Sequence, residues 1–274
     1  YETVRETNPA IVYCSLSGFG QFGPYSGVAA HDIAFQSVAG MLPLDEEENP
    51  MIPTYSQADL NAAYFGAIAL IMGLLNRSDK GVGQYIDVAF SDVSLTLPPG
   101  GRERDEMLLG KYPGFNTYET KDGRYVSLSI REPWFWDRVC RLLGHEEWSA
   151  DMRPHGELRD KMFNHFRHVF KTKTLAEWVQ ILIEHDIEFG PVNSTVEHLW
   201  QDPHMQARQM LFETTDPSTG LKQYEPGFSM KFAGTPAEKW RGATPMGSDT
   251  EDVLTELGYT LEQQTSLRDN GVIA

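Results

Sequence analysis

The stretch SQADLNAAYFGAIALIMGLLNRSDKGVGQYIDVAF, residues 56–90, joins a long apolar helix to a short apolar strand. Large apolar residues recur at three- and four-residue spacing, which predicts a helix that ends near Asn76. Small residues occupy its other sides, so we expect the helix to be mostly buried and closely packed. Ser56 is the expected N-cap, which places Asp59 at the third helical position, where the helix dipole favours a charged carboxylate.

A second apolar strand lies upstream of this helix. Residues 10–16, AIVYCSL, are apolar and partly β-branched, which is typical of a buried strand. A glycine-rich loop follows, and a short helix is predicted from Asp32 to Val38. This alternation of strands and helices indicates an α/β layer with a parallel sheet.

The pattern changes after this layer. Residues 97–106, LPPGGRERDE, combine proline, glycine and charge, as in a linker between two lobes. Two alternating strands then flank Asp122-Gly123, which is a hairpin signal, and a helix is expected to begin at Glu132-Pro133. Further helices are predicted near residues 157–170, 174–186 and 194–200, after Pro203, and twice near the C-terminus.

Composition narrows the possible functions. The 274 residues carry a formal net charge of −16, so the average surface would repel nucleic acid and anionic membranes. We identify no apolar run of about 18 residues, the length typical of a membrane span, and no signal peptide. Cys14 and Cys140 are too few for a disulfide framework, so we expect a cytoplasmic protein with both cysteines in its core.

Common catalytic motifs are absent from the sequence. It has no P-loop, GxSxG or HExxH, and GFGQFG at residues 18–23 lacks the acidic partner of a dinucleotide site. Of the eight histidines, His165 and His168 are three residues apart on a predicted helix, and we expect both to face solvent. No metal site is therefore predicted.

Three positions at junctions between predicted elements could carry chemistry. They are the adjacent pair His31 and Asp32, then Asp59, and then Glu132. Each also has an ordinary structural interpretation, because acidic and polar residues commonly occupy helix N-termini. Functional sites are often built at such junctions as well, so the residues alone leave both interpretations open.

Two long segments carry a family resemblance. They are NPAIVYCSLSGFGQFGPYSGVAAHDIAFQSVAGML at residues 8–42 and DLNAAYFGAIALIMGLLNRSDKGVGQYIDVAFSDVSL at residues 59–95. In this order they resemble the class III CoA-transferase superfamily, which includes α-methylacyl-CoA racemases and several CoA-transferases. The resemblance continues through residues 118–140, 189–208 and 244–259, so it extends over nearly the whole chain.

The resemblance implies an α/β fold and an interlocked dimer. Each subunit of the family has a Rossmann-like large domain, expected here over residues 1–98 and 240–274, and an inserted small α+β domain, expected over residues 99–239. Family members begin with a further segment that holds much of the CoA site, so we expect the N-terminal part of the large domain to be missing. The expected partner is a second copy or a chain that supplies this missing half.

The resemblance also implies catalytic roles. Asp59 matches the family aspartate that is a nucleophile in transferases and one of two acid/base groups in racemases. His31, in AHD, matches the histidine of the racemase GHD stretch, and Glu132, in EP, matches the glutamate that pairs with that histidine. Transferases usually carry another residue, often tyrosine, at the position of His31, which favours the racemase branch.

These matches imply racemisation of 2-methylacyl-CoA thioesters. His31 and Asp59 would move the α-proton on opposite faces of an enolate, and amides at the start of the Asp59 helix would bind the enolate oxygen. Asp32 would support the site, Phe35 and Tyr64 would line the acyl pocket, and no cofactor beyond the CoA of the substrate is expected. Two alternatives remain: CoA transfer to a carboxylic acid with Asp59 as the nucleophile, and a non-catalytic partner subunit or fragment.

Overall fold

The computed structural model divides the chain into two compact units, Tyr1–Tyr112 and Pro113–Ala274. It describes residues 1–45, 47–96, 106–107, 109–237, 242 and 244–273. The linker predicted at 97–106 lies outside these described residues except for its last position. The division into a large domain and an inserted small domain therefore stays a prediction.

The first unit contains a parallel pair of strands connected through helices. Strand β1 pairs with β2 in register from Val12 opposite Gln84 to Ser17 opposite Ala89, which confirms the predicted parallel sheet. Helix α3 packs on both strands. The elements of this unit are α1 (Glu2–Thr7), β1 (Val12–Ser17), α2 (Asp32–Val38), α3 (Gln57–Lys80), β2 (Gln84–Ala89) and α4 (Phe90–Thr96).

Helix α3 contacts the sheet through its small residues. A Cβ atom added at Gly66 would lie 2.5 Å from Cδ1 of Leu16, and one added at Gly73 would lie 2.5 Å from Cγ1 of Val12. Real Cβ atoms do not approach this closely, so glycine allows the helix backbone to lie directly against the strand side chains. The glycines therefore set the distance between α3 and the sheet.

The prediction that α3 is mostly buried is wrong. Its buried residues are all small: Ala58, Ala62, Gly66 and Gly73. Because the stripe that faces the sheet is made of small residues, the large apolar side chains lie on the exposed sides of the helix. The exposed fractions of these residues are 54% for Leu60, 66% for Tyr64, 53% for Ile68, 58% for Ile71, 43% for Leu74 and 65% for Leu75.

Helix α3 is also long and apolar enough to cross a membrane, judged by length and composition only. The sequence-based expectation that no run reaches such a length is therefore corrected. A single helix of this kind is weak support for a membrane span.

The second unit is a three-stranded antiparallel sheet with helices, followed by a two-stranded hairpin. The sheet order is β3-β4-β5, and β6 pairs with β7. The hairpin around Asp122-Gly123 and the helix that begins at Pro133 are confirmed. The elements are β3 (Phe115–Glu119), β4 (Tyr125–Ser129), α5 (Pro133–Leu142), a 3-10 helix (Glu146–Ala150), α6 (Gly156–Phe170), α7 (Leu175–Glu184), β5 (Phe189–Val192), α8 (Val196–Gln201), α9 (Pro203–Ala207), β6 (Leu211–Thr215), β7 (Lys222–Pro226), α10 (Thr250–Glu256) and α11 (Leu261–Asp269).

An aromatic cluster forms the core of the second unit. Trp136 stacks on Phe166 with ring centroids 5.9 Å apart, and Tyr118 stacks on Phe170 at 5.0 Å. All four residues are at most 2% exposed. Cys140 is fully buried beside them, as predicted, and burial raises the pKa of its thiol to about 12. Such a thiol is inert at neutral pH.

One histidine departs from its predicted environment. His168 is exposed as expected, but His165 is partly buried and meets the ring of Trp148 edge-on at 5.2 Å. Burial, followed by the nearby His145, lowers the pKa of His165. The reason is packing, since the rings of His145 and Trp148 contact this side chain on α6.

Candidate active site

The buried carboxylate of Asp32 connects the first turns of two helices. Its exposed fraction is only 7%. Oδ2 of Asp32 accepts a hydrogen bond from the backbone amide of Asp59 at 3.0 Å, and Oδ1 accepts one from Nε2 of Gln36. Helix α2 begins at Asp32, as predicted, and His31 is its N-cap residue. The start of α2 is therefore attached to the start of α3.

Asp32 takes the capping role that the sequence pattern predicted for Ser56. Ser56 is the N-cap residue of α3, but its side chain makes no capping hydrogen bond. Asp59 lies at the third helical position, where the backbone amide has no partner within the helix, and Asp32 supplies the acceptor. The predicted positions of Ser56 and Asp59 are confirmed, and the side-chain acceptor at this helix start comes from Asp32, 27 positions before Asp59.

The electrostatic surroundings of Asp59 favour its protonated form. Burial raises the pKa of this carboxyl group, the charge of Asp32 raises it further, and the charge of His31 lowers it. The side chain itself lies at the surface of the unit. A carboxyl group with a raised pKa can both hold and release a proton closer to neutral pH than an ordinary aspartate can.

Three of the predicted site residues therefore come together in the first unit. His31 is exposed at the N-cap of α2 and acts electrostatically on Asp59. Asp32 follows His31 directly in the chain, and its carboxylate binds the Asp59 amide. One expectation changes, because this amide already donates to Asp32 and is not available to bind an enolate oxygen.

The glycine-rich loop that precedes His31 is held by an aspartate that sequence reasoning missed. Oδ2 of Asp87, on β2, accepts a hydrogen bond from the amide of Gln21 at 2.9 Å. Gly20 has φ +81°, a conformation that favours glycine, and lies next to the same carboxylate. The available signal was a lone carboxylate inside the apolar strand YIDVAF, residues 85–90.

The two residues expected to line the acyl pocket lie in different environments. Phe35 is only 4% exposed and packs edge-on against Phe19 and Phe90, with ring centroids 5.2 Å and 5.3 Å away. Tyr64 is 66% exposed on α3, five residues after Asp59. Their roles in binding an acyl group stay predictions.

Glu132 lies in the second unit, where it is the N-cap of α5. Its carbonyl oxygen accepts hydrogen bonds from the amides of Phe135 and Trp136, both at 3.2 Å, and Pro133 occupies the first helical position. Oε2 of its carboxylate is buried and has no hydrogen-bond partner among the residues that the structure describes. The pairing of Glu132 with His31 stays a prediction.

The described part of the chain contains no group of three or more histidine, cysteine, aspartate or glutamate side chains that could hold a metal ion. The chemistry available to the candidate residues is that of imidazole and carboxyl groups, which bind, accept and donate protons. A carboxylate could also act as a nucleophile.

The family model for CoA-transferase family III matches residues 1–250. The chain belongs to this family. It is 29% identical to the alpha-methylacyl-CoA racemase of Homo sapiens, over 99% of this chain and 74% of the racemase. It is 28% identical to the succinate–glutarate CoA-transferase of Agrobacterium fabrum (strain C58), over 94% of this chain and 68% of the transferase.

Solved structures support the same fold. A CAIB/BAIF family protein from Brucella suis matches with a TM-score of 0.70 at 22% identity, over 94% of this chain and 70% of that chain. The predicted α/β class and the family are thus confirmed, and the chain belongs to a family of enzymes. Because its relatives include racemases and CoA-transferases, the family alone does not select the reaction.

Proposed function

We propose that this protein is an acyl-CoA racemase that inverts the carbon next to a thioester, with His31 and Asp59 as the proton-transfer pair. The observation that carries the proposal is the bridge from Asp32 to the Asp59 amide, which sets the two helix starts beside each other. The racemase relative at 29% identity agrees with it.

The chemistry requires two groups. One group removes the α-proton, and the electron pair of the C–H bond moves to the thioester oxygen to give an enolate. The second group then donates a proton to the opposite face of the same carbon, so the configuration inverts and the C–S bond stays intact. An imidazole and a carboxyl group are both able to hold and release this proton, and the raised pKa of Asp59 brings its carboxyl group closer to the range of the imidazole.

The raised pKa of Asp59 supports proton transfer more than nucleophilic attack. A carboxyl nucleophile has to be ionised, whereas an acid/base group has to exist in both protonation states during turnover. Asp32 disfavours the ionised form of Asp59 by placing a second negative charge beside it.

Substitution of each acid/base group tests the proposal. With a 2-methylacyl-CoA of defined configuration in deuterated water, we expect His31→Ala and Asp59→Asn each to reduce formation of the inverted, deuterium-labelled product by about 100-fold or more. The control is His168→Ala, an exposed histidine of the second unit, which should leave this rate unchanged. Inversion at the unaltered rate by either site variant would rule out its assigned role.

CoA transfer is the second candidate function. The observation that favours it is the exposed position of Asp59 at the start of α3, where a carboxylate is open to attack an acyl-CoA. The transferase relative at 28% identity is consistent with this alternative. Mass spectrometry would detect an acyl or CoA adduct on Asp59. Such an adduct, if Asp59→Asn does not form it, would favour CoA transfer and exclude a simple proton exchange.

A further inference from the structure

The carboxylate of Asp87 has one unusual feature beyond its contact with the glycine-rich loop. Oδ2 accepts a hydrogen bond from the amide of Gln21 at 2.9 Å. The other oxygen, Oδ1, is buried and has no donor among the residues that the structure describes. A buried carboxylate oxygen without a donor costs stability. Stability alone therefore does not explain a carboxylate at this position of β2.

The loop backbone rests directly on β2 and α4 beside this carboxylate. Gly20 is buried and has φ +81°, which favours glycine. A Cβ atom added to it would lie 3.4 Å from Oδ2 of Asp87 and 3.4 Å from Cβ of Ala89. Two residues earlier, the carbonyl oxygen of Gly18 accepts a hydrogen bond from the amide of Ser91 at 3.1 Å. The turn is thus held on both sides of the residue between these glycines.

The residue between the two glycines is Phe19, which packs on the helix that carries the candidate site. Its ring meets the ring of Phe35 edge-on, with centroids 5.2 Å apart. Phe35 is buried in α2, about one turn after the N-cap residue His31. A path of contacts therefore leads from Asp87 through the turn and Phe19 to α2, entirely within the first unit.

We propose that Asp87 is a positioning residue for His31. Its Oδ2 atom holds the turn at Gly20 and Gln21, and through Phe19 this turn sets how α2 presents His31. The functional part of this inference rests on the proposed function, in which His31 moves the α-proton. Asp87 acts here as a hydrogen-bond acceptor and does not touch the reacting atoms, so an amide of the same shape can replace its carboxylate.

Two substitutions of Asp87 separate the acceptor from the charge. Asp87→Ala removes the acceptor, and we expect it to lower kcat for the inverted, deuterium-labelled product by about 10-fold or more, because small displacements of a reacting group are costly. KM should change by less than about threefold, since substrate binding is not lost. Asp87→Asn retains an acceptor and should keep at least about half of the unaltered kcat. Asp79→Ala, an exposed carboxylate of the same unit, is the control and should change neither value.

A glycine substitution tests the same turn without altering Asp87, in case Asp87→Ala does not fold. Gly20→Ala places a side chain at φ +81° and should lower kcat in the same way. Gly27→Ala is the matched control, because a Cβ atom added there meets nothing within 4 Å. If both changes disturb one turn, Gly20→Ala combined with Asp87→Ala should lose less than the product of the two separate losses.

NMR tests the positioning role independently of activity. The amide of Gln21 should exchange faster with solvent in Asp87→Ala, and nuclear Overhauser effects between the rings of Phe19 and Phe35 should weaken. The ring signal of His31 should shift in the same variant, and all three should return to the unaltered values in Asp87→Asn. If the unaltered protein does not exchange the α-proton, the proposed function fails while these signals still report the turn.

Two results would overturn the inference. The first is a His31 signal that stays unchanged in Asp87→Ala, or an unaltered kcat in that variant, because the turn would then not set the position of His31. The second is an equal loss in Asp87→Asn and Asp87→Ala, because the charge rather than the acceptor would then matter.

Discussion

Asp32 is the residue on which the first unit's candidate site depends. Its carboxylate is nearly fully buried, which is costly for a charge, but it accepts hydrogen bonds from Gln36 and from the amide of Asp59. It also lies at the N-termini of α2 and α3, where the helix dipoles favour a negative charge. One side chain therefore supports both the fold of this unit and the proposed chemistry.

Asp32→Ala should destabilise the protein by about 1–2 kcal/mol, because the amide of Asp59 loses its acceptor at the helix start. Urea unfolding measures this difference. Asp92→Ala, in the first turn of α4, serves as a matched control and should have a smaller effect. Equal stability of Asp32→Ala and the unaltered protein would show that the bridge to α3 contributes nothing.

The raised pKa of Asp59 has a defined effect on stability. A carboxyl group whose pKa is higher in the folded than in the unfolded state contributes stability that is present below about pH 3.9, the ordinary aspartate value, and is lost as pH rises through the folded value. Asp59→Asn removes this dependence. The unfolding free energy of Asp59→Asn, compared with that of the unaltered protein, should therefore increase as pH rises from about 4 to 7. A difference that stays constant over this range would contradict a raised pKa at Asp59.

Element boundaries could be predicted where a terminal residue has a direct physical role. The starts of α2 and α5 agree with prediction because an acidic first turn and a proline at the first position act locally. Strand β5 was missed because its four residues, Phe189–Val192, contain glycine and proline and form a strand only through pairing with β4. The burial of α3 was predicted wrongly because periodicity shows which residues share a face, not which face meets the sheet.

Helix α3 offers a steric test at the element scale. Gly73→Ala would place a Cβ atom 2.5 Å from Cγ1 of Val12, and the β-branched valine has few alternative rotamers. We expect a loss of about 1–3 kcal/mol in unfolding free energy, although alanine normally stabilises a helix relative to glycine. Ser78→Ala, at an exposed position near the end of the same helix, should change stability by less than about 0.5 kcal/mol. A stabilised Gly73→Ala protein would contradict the close packing.

At the scale of the whole molecule, the exposed apolar side of α3 agrees with the dimer that the family resemblance implies. Exposed apolar surface of this extent usually marks an interaction site. Light scattering should give about twice the mass of one chain, and Ile71→Glu should shift it toward the monomer, because a charge on this side opposes association. Lys161→Glu on the second unit is the control. A monomer at all concentrations would contradict the expected dimer.

The whole-chain resemblance correctly predicted the family and the α/β class, because ordered motifs over most of the chain are specific. It could not predict the carboxylate contact that shapes the candidate site. The side chain of Asp32 binds the backbone amide of Asp59, which lies 27 residues further along the chain. Such contacts depend on how helices and strands pack, and a single sequence does not encode that geometry in a local pattern.

One experiment tests the central claim most directly. The protein is incubated in deuterated water with a 2-methylacyl-CoA and a free carboxylic acid, and mass spectrometry follows deuterium at the α-carbon and CoA on the acid in the same sample. If His31 and Asp59 exchange the proton, deuterium will appear at the α-carbon and no CoA will be transferred to the added acid. CoA on the added acid without deuterium at the α-carbon would contradict the account and make Asp59 a nucleophile.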